Sequence, residues 1–164
     1  MKNIVLIGMP ACGKSVTGVV LAKTLKMKFV DTDLLIQEAA GKGLQNIINE
    51  DGIEKFKELE EKVLTELDVE NAVVSTGGSA IYYDGAMQHL KENGTVVYIK
   101  ANLKTVKSRL RNIKTRGVAM GKGQTLDDLY KQRVPLYEKY ADITVITNNK
   151  RTMEDTVADI LAQI

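Results

Sequence analysis

The sequence predicts an α/β protein in which helices cover both faces of a parallel sheet. Short β-branched runs alternate with longer segments of helical spacing, and the first run leads through a glycine-containing loop straight into a helix. Strands are expected at residues 4–7, 28–30, 72–75, 96–100 and 143–146. Helices are expected at about residues 14–26, 33–40, 43–49, 52–68, 85–93, 103–113, 126–140 and 152–162.

Length and composition fit one domain with its own core. The chain has 164 residues, of which 44% are hydrophobic. Its 23 basic and 21 acidic residues give a net charge of +2, which offers no general reason to expect nucleic acid or an anionic membrane as a partner. The single cysteine and the lack of a long apolar run favour a cytosolic protein without a signal peptide or membrane span, and we expect a monomer.

The first loop carries the phosphate-binding pattern G-x-x-x-x-G-K-[ST]. It reads Gly8-Met9-Pro10-Ala11-Cys12-Gly13-Lys14-Ser15 and lies between a predicted strand and a predicted helix. The backbone N–H groups of such a loop, with the positive end of the following helix, cradle an anion. We expect Lys14 to reach the terminal phosphates of a nucleotide and the Ser15 hydroxyl to bind Mg²⁺.

Two aspartates follow the second predicted strand, in the stretch Asp31-Thr32-Asp33. The carboxyl ends of parallel strands meet at one edge of a sheet, so this stretch should lie beside the phosphate loop. One aspartate would hold Mg²⁺, directly or through water, and the other would orient an attacking hydroxyl or accept its proton. The alternative is that Asp33 or Thr32 caps a helix starting near Leu34, and the two roles are compatible.

Two further segments are candidates for contact with a substrate. The third predicted strand ends in Ser75-Thr76-Gly77-Gly78-Ser79, where adjacent glycines permit a close approach of the backbone to a ligand, although a tight turn explains them equally well. Residues 112–125 are polar and include three glycines. Such segments are surface loops, and in phosphate-transfer enzymes they can be lids that close over the substrate.

Taken in order, these motifs resemble those of the shikimate kinases. Besides the phosphate loop and the aspartate pair, the helix stretch Phe56-Lys57-Glu58-Leu59-Glu60 is similar to the family pattern F-[RK]-x-x-E. Thr76-Gly77-Gly78 is similar to a strand ending in T-G-G. The pattern R-x-P-L-Y…A-D is matched by Arg133-Val134-Pro135-Leu136-Tyr137 and Tyr140-Ala141-Asp142. The resemblance spans about residues 3–147.

The resemblance implies a fold, a reaction and an organisation of the chain. The fold is a three-layer P-loop kinase fold with a sheet of order 2-3-1-4-5. Residues 1–164 would form a single domain with a substrate-binding subdomain at about 32–60 and a mobile lid at about 112–124. The reaction is Mg²⁺-assisted transfer of a phosphoryl group from ATP to a hydroxyl of a small hydroxylated carboxylic acid, with shikimate to shikimate 3-phosphate as the leading case.

The resemblance also implies roles for single residues in receiving the acceptor. Asp33 would meet the acceptor hydroxyl and act as base, while Asp31 would support Mg²⁺ together with Ser15. Lys57 and Arg133 would bind the acceptor carboxylate. The glycines that would lie against the acceptor and the transferring phosphoryl group are Gly77 and Gly78.

The implied nucleotide site includes the phosphate loop and two arginines. Arg116 would reach the phosphates from the lid and is catalytic together with Lys14 and Asp33. Arg109 would lie on adenine, although a solvated position on its helix explains this residue almost equally well. The full nucleotide-binding set is Gly8, Ala11, Cys12, Gly13, Lys14, Ser15, Val16, Arg109 and Arg116.

Three positions depart from the family pattern. Lys57 replaces an arginine, which removes the planar fork that binds a carboxylate through two hydrogen bonds. Ser79 replaces the third glycine of G-G-G and adds a Cβ and a hydroxyl near the acceptor. Gly117 replaces the proline of the lid motif R-P-L. The first two changes leave a related small hydroxy acid open as the acceptor.

Two other functions remain open on the sequence alone. One is a nucleoside-monophosphate or gluconate-type kinase, against which the residue 56–60 and 133–137 elements argue. The other is a nucleotide-dependent binding or regulatory protein that has lost transfer activity. Retention of Asp33, Arg116 and Arg133 argues against such a loss.

Overall fold

Five parallel strands form a sheet of order β2-β3-β1-β4-β5 in the computed structural model, which describes residues 2–110 and 123–164. The strands are β1 (Asn3–Ile7), β2 (Lys28–Asp31), β3 (Ala72–Ser75), β4 (Gly94–Ala101) and β5 (Ile143–Thr147). The predicted fold class and the implied strand order are both confirmed. In register, Val5 of β1 lies beside Val74 of β3 and Val96 of β4, so the middle strand is buried from both sides.

Helices cover both faces of this sheet. α1 packs with α8 on one side, and α5 and α7 contact β4 on the other. The helices of the described residues are α1 (Lys14–Leu25), α2 (Thr32–Ala40), α3 (Leu44–Asp51), α4 (Ile53–Thr65), α5 (Asp84–Glu92), α6 (Leu103–Leu110), α7 (Leu126–Tyr140) and α8 (Met153–Leu161). A short 3₁₀ helix at Ala80–Tyr82, which the sequence pattern did not predict, lies between β3 and α5. None of these helices combines the length and apolarity needed to cross a bilayer.

The buried side chains form two separate clusters. The larger one lies around the sheet and includes nearly all inward residues of β1, β3 and β4. The smaller one is built from Ile36, Ile47 and Phe56, each from a different helix of the segment α2 to α4. The proposed subdomain at about residues 32–60 therefore has a small apolar core of its own.

Candidate active site

The phosphate loop joins β1 to α1 and folds as a nest of backbone groups. Gly8 has φ +150°, and a Cβ there would lie 2.6 Å from the carbonyl oxygen of Ile99, so the loop needs glycine at this point. Gly13 is the N-cap of α1 with φ 93°. Lys14 is 2% exposed, and its ammonium donates to the carbonyl oxygens of Gly8 and Met9, each at 2.8 Å. The cation thus lies over the concave side of the loop, where phosphate would bind.

Asp31 connects the second strand to the phosphate loop. Its carboxylate accepts a hydrogen bond from the Ser15 hydroxyl at 3.3 Å and another from the Asp33 backbone N–H at 2.9 Å. The second contact caps α2, which begins at Thr32, so the expectation that Thr32 or Asp33 caps a helix starting near Leu34 was wrong. Asp31 is both the N-cap and the neighbour of Ser15, because strand β2 ends immediately before the helix.

The Ser15 and Asp31 pair fits a magnesium ion that is also held by phosphate. A hydroxyl and a carboxylate are the oxygen ligands that Mg²⁺ takes at nucleotide sites, where it keeps waters and phosphate oxygens as its other ligands. Within residues 2–110 and 123–164, no group of three or more acidic, histidine or cysteine side chains is arranged to hold a metal ion. Ser15 and Asp31 are the residues that would hold an ion bound together with a nucleotide.

Asp33 lies beside Gly77, another residue predicted to contact the acceptor. A Cβ on Gly77 would lie 2.7 Å from Asp33 Oδ1 and 3.0 Å from Glu60 Oε2. The first distance is shorter than real Cβ contacts and the second is tighter than most of them, so the glycine leaves space for two converging carboxylates. The close approach supports the reading of Gly77 as a glycine required by the site.

Arg133 lies beneath the turn at Gly78 and is 1% exposed. A Cβ on Gly78 would lie 2.8 Å from Arg133 Nη1 and 2.9 Å from Cδ of Pro10 in the phosphate loop. The arginine Nε donates to the Tyr82 hydroxyl at 3.2 Å, and the guanidinium lies 5.4 Å from the centroid of that ring. Tyr137 donates to the Gly78 carbonyl at 2.6 Å and fixes the turn from below.

Lys57 lies at the edge of this region, and its side chain is 44% exposed. Its ammonium is 3.6 Å from the carboxylate of Glu54 on the same helix. Together with Ile53, Tyr82 and Tyr83, it lines an open cavity of about 310 Å³ beside the acceptor region. The lysine is thus near the predicted acceptor site but engaged with a surface partner.

Glu60 is the main residue of this region to which the sequence assigned no role. It is 1% exposed, and burial raises the pKa of its carboxyl to about 7, although hydrogen bonds from Ser79 and Tyr83 act in the opposite direction. The sequence does contain a signal for this residue. Position 60 falls on the apolar stripe of α4, where a charged side chain needs an explanation. The Ser79 hydroxyl donates to this carboxylate, so the serine that replaces the third glycine of the turn makes a polar contact inside the protein.

A second cavity lies on the other side of the phosphate loop. It has a volume of about 410 Å³ and is lined by Ala11, Cys12, Gly13, Val16, Thr17, Arg109, Thr147, Arg151, Met153 and Thr156. Arg109 donates to the carbonyl oxygens of Ala11 and Asn148, both at 3.3 Å, so it crosses this cavity from α6 to the loop after β5. Arg109 is half-buried and held by these two carbonyls, so it is not a solvated helix residue. Arg151 also lines the cavity and was not anticipated from the sequence.

The lid residues fall mostly outside the part of the chain that the structure describes. Arg116 and Gly117 are among residues 111–122, so their expected roles stay predictions. Of the predicted lid at about residues 112–124, the structure describes Gly123 and Gln124. Gln124 lines the cavity next to Lys57 and donates to Gln132 at 3.1 Å.

Comparisons with known proteins agree with the motifs. The family model for shikimate kinase matches residues 10–164. The shikimate kinase of Clostridium botulinum (strain ATCC 19397 / Type A) is 38% identical over 157 residues, which are 93% of this chain and 92% of that protein. That of Sulfurihydrogenibium sp. (strain YO3AOP1) is 38% identical over 165 residues, covering 100% of this chain and 98% of the relative.

A solved structure gives the same result in three dimensions. The shikimate kinase from Acinetobacter baumannii, determined in complex with shikimate, superimposes with a TM-score of 0.89. Its sequence is 33% identical, and the match covers 98% of this chain and 91% of that one. By sequence and by fold, this chain belongs to the shikimate kinase family.

Proposed function

We propose that this chain transfers the γ-phosphoryl group of ATP to the 3-hydroxyl of shikimate. The observation that carries the proposal is the position of Gly78, where backbone without a Cβ lies against both Arg133 and Pro10 of the phosphate loop. An acid held by the Arg133 guanidinium would therefore lie next to the phosphates held by the loop. Juxtaposition of donor and acceptor is the main requirement of phosphoryl transfer.

The charges around the loop suit the transferring group. Lys14 and the N-terminal end of α1 would neutralise the negative charge that spreads over the phosphoryl oxygens. On binding, the phosphates would replace the loop carbonyls as partners of the Lys14 ammonium. When bound between Ser15, Asp31 and the phosphates, Mg²⁺ would add charge neutralisation and fix the geometry of the phosphate chain.

The acceptor would be oriented by one carboxylate and by cationic side chains. Asp33 lies beside Gly77, where it can accept the proton of the attacking hydroxyl. Arg133 presents a fork that matches a carboxylate. Lys57 would contribute a second positive charge once its ammonium leaves Glu54 and contacts the carboxylate of the acceptor. An ammonium acts as a point charge and cannot form the two parallel hydrogen bonds of an arginine.

The adenine would occupy the cavity between Arg109 and the loop after β5. A guanidinium stacks well on a planar base, and Arg109 is already held across that cavity by backbone carbonyls. Val16, Ala11 and Cys12 supply the apolar wall. Arg116 would complete the site by reaching the phosphates.

An assay of ADP release over a panel of acceptors tests the reaction. We expect ADP release with shikimate, together with an equal amount of a phosphate ester detected by ³¹P NMR. ADP release with quinate or other hydroxy acids should be much slower. Lys14→Met is the matched control, because it keeps the length of the side chain and removes the charge. Turnover with another acid but not with shikimate would overturn the substrate, and ATP binding without turnover on any acceptor would overturn the enzyme.

Three further proposals concern the context of the reaction. Mg²⁺ would be required, which activity after chelation and metal replacement would test. The chain would act as a monomer in the cytosol, which sedimentation of the purified protein and cell fractionation would test. The segment around residues 32–60 and the lid at about 112–124 would close over the acceptor, and hydrogen exchange with and without shikimate would detect that closure.

A further inference from the structure

The turn after β3 has a hydrogen-bonded cluster that the proposed reaction does not use. Glu60 Oε1 accepts from the Ser79 hydroxyl at 2.5 Å and from the Tyr83 hydroxyl at 3.0 Å. These two donors come from opposite ends of the 3₁₀ helix at Ala80–Tyr82 and converge on a single carboxylate oxygen from α4.

The other oxygen of the same carboxylate has no hydrogen-bond partner among the described residues. Glu60 Oε2 is buried and lies 3.0 Å from the place that a Cβ on Gly77 would occupy. Asp33 Oδ1 lies 2.7 Å from that same place. A buried acceptor atom without a donor is costly, and this one lies beside Gly77 and Asp33, two residues predicted to contact the acceptor, where a ligand hydroxyl could supply the donor.

We propose that Ser79 and Tyr83 are positioning residues for the acceptor: they hold one oxygen of Glu60 and direct the other to a second hydroxyl of the substrate. The inference rests on the proposed function, since the ligand it requires is a polyol whose neighbouring hydroxyls can meet Asp33 and Glu60 separately. Ser79 is then a functional replacement in the turn, because glycine or alanine there has no hydroxyl to donate.

The charges around Glu60 determine what removal of the donors should do. Burial raises the pKa of Glu60, and the hydroxyls of Ser79 and Tyr83 lower it by stabilising the ionised form. Asp33 on α2 also raises this pKa, and Arg133 on α7 lowers it. The ionised form can accept a hydrogen bond from a hydroxyl group at each of its two oxygens. Loss of the Ser79 donor should therefore raise the pKa of Glu60 and move the acidic limb of acceptor binding to higher pH.

The test compares pH profiles of kcat/KM for shikimate at saturating ATP. We expect Ser79→Ala and Tyr83→Phe each to move the acidic limb upward by about one pH unit, while kcat/KM for ATP stays near the wild-type value. Ser79→Thr keeps the hydroxyl and should restore the wild-type limb. Tyr98→Phe removes a buried phenol hydroxyl that lacks a partner within residues 2–110 and 123–164, so it should leave the limb in place.

Direct titration of the Glu60 side chain by ¹³C NMR separates this inference from the proposed reaction. The carboxyl resonance in the complete free protein should titrate at higher pH in Ser79→Ala than in the wild type, whichever acid the enzyme phosphorylates. An unmoved resonance overturns the contact. A moved resonance with an unmoved kinetic limb overturns the link to the acceptor, and failure of the wild-type chain to phosphorylate shikimate overturns the proposed function alone.

Discussion

Glu60→Gln should make the free energy of unfolding less dependent on pH than in the wild type. Burial raises the pKa of Glu60 from the 4.5 of an ordinary glutamate to about 7, against the pull of its hydrogen bonds. Between these two values the folded protein binds a proton that the unfolded chain has released. This carboxyl therefore contributes stability at low pH that is lost as the pH rises through 7.

The size of the effect follows from the interval between the two pKa values. At about 1.4 kcal/mol per pH unit, the interval corresponds to roughly 3 kcal/mol, and most of it falls between about pH 5 and pH 8. Glutamine keeps an oxygen that accepts from Ser79 and Tyr83 but cannot ionise. The unfolding free energy of Glu60→Gln relative to the wild type should therefore rise by roughly 2–3 kcal/mol from about pH 5 to about pH 8.

Urea unfolding followed by circular dichroism at four pH values across that range measures this difference. Glu58→Gln is the matched control, because Glu58 lies on the same helix with an exposed side chain and only a surface partner, Lys55. Its difference from the wild type should stay within a few tenths of a kcal/mol at every pH. Parallel curves for Glu60→Gln and the wild type would refute the argument, since they would mean that residue 60 ionises alike in the folded and unfolded chains.

Three substitutions test the roles proposed for the site. Asp33→Asn should lower kcat by about 100-fold or more and leave the Kd of ATP nearly unchanged, and turnover equal to that of the wild type would remove the role of Asp33. Lys57→Arg should lower KM for shikimate because it restores a fork for the carboxylate, and an unchanged KM would place the acid elsewhere. Gly77→Ala should raise KM for shikimate by about tenfold, because the added Cβ would crowd Asp33 and Glu60 and overpacking of this kind costs about 1–3 kcal/mol. Calorimetry of the same variant should show unaltered ATP binding.

The fold was predictable because its signals are local and repeat along the chain. Each strand is a short β-branched run, and each connection to the next parallel strand contains a helical pattern, which leaves few arrangements other than a sheet covered on both sides. The ends of elements were less predictable. β4 begins at Gly94 and not at residue 96, because pairing with Asn3 of β1 extends the ladder regardless of the weak strand preference of glycine.

The two halves of the site differ in how much of them the sequence revealed. The phosphate loop is a continuous segment, so its motif includes nearly all of its geometry; in the structure Lys14 donates to the Gly8 carbonyl and Ser15 donates to Asp31. The acceptor side is assembled from α2, α4, the turn after β3 and α7. Contacts such as Tyr82 with Arg133 join residues 51 positions apart and leave no local pattern to read.

The contact between Ser79 and Glu60 likewise has no local signal in the sequence, which predicts only that Ser79 adds a Cβ and a hydroxyl near the acceptor. On α4, Lys57 lies one turn before Glu60 and is the neighbour on its own helix best placed to neutralise it. The structure gives the Lys57 ammonium to Glu54 instead, and the ion pairs of the described residues include none to Glu60. A buried carboxylate without a paired cation depends on hydrogen-bond donors to stabilise its ionised form, and Ser79 and Tyr83 are such donors. The departures at positions 57 and 79 are therefore connected through Glu60, so the double variant Lys57→Arg/Ser79→Gly should differ from the sum of its single variants in kcat/KM for shikimate.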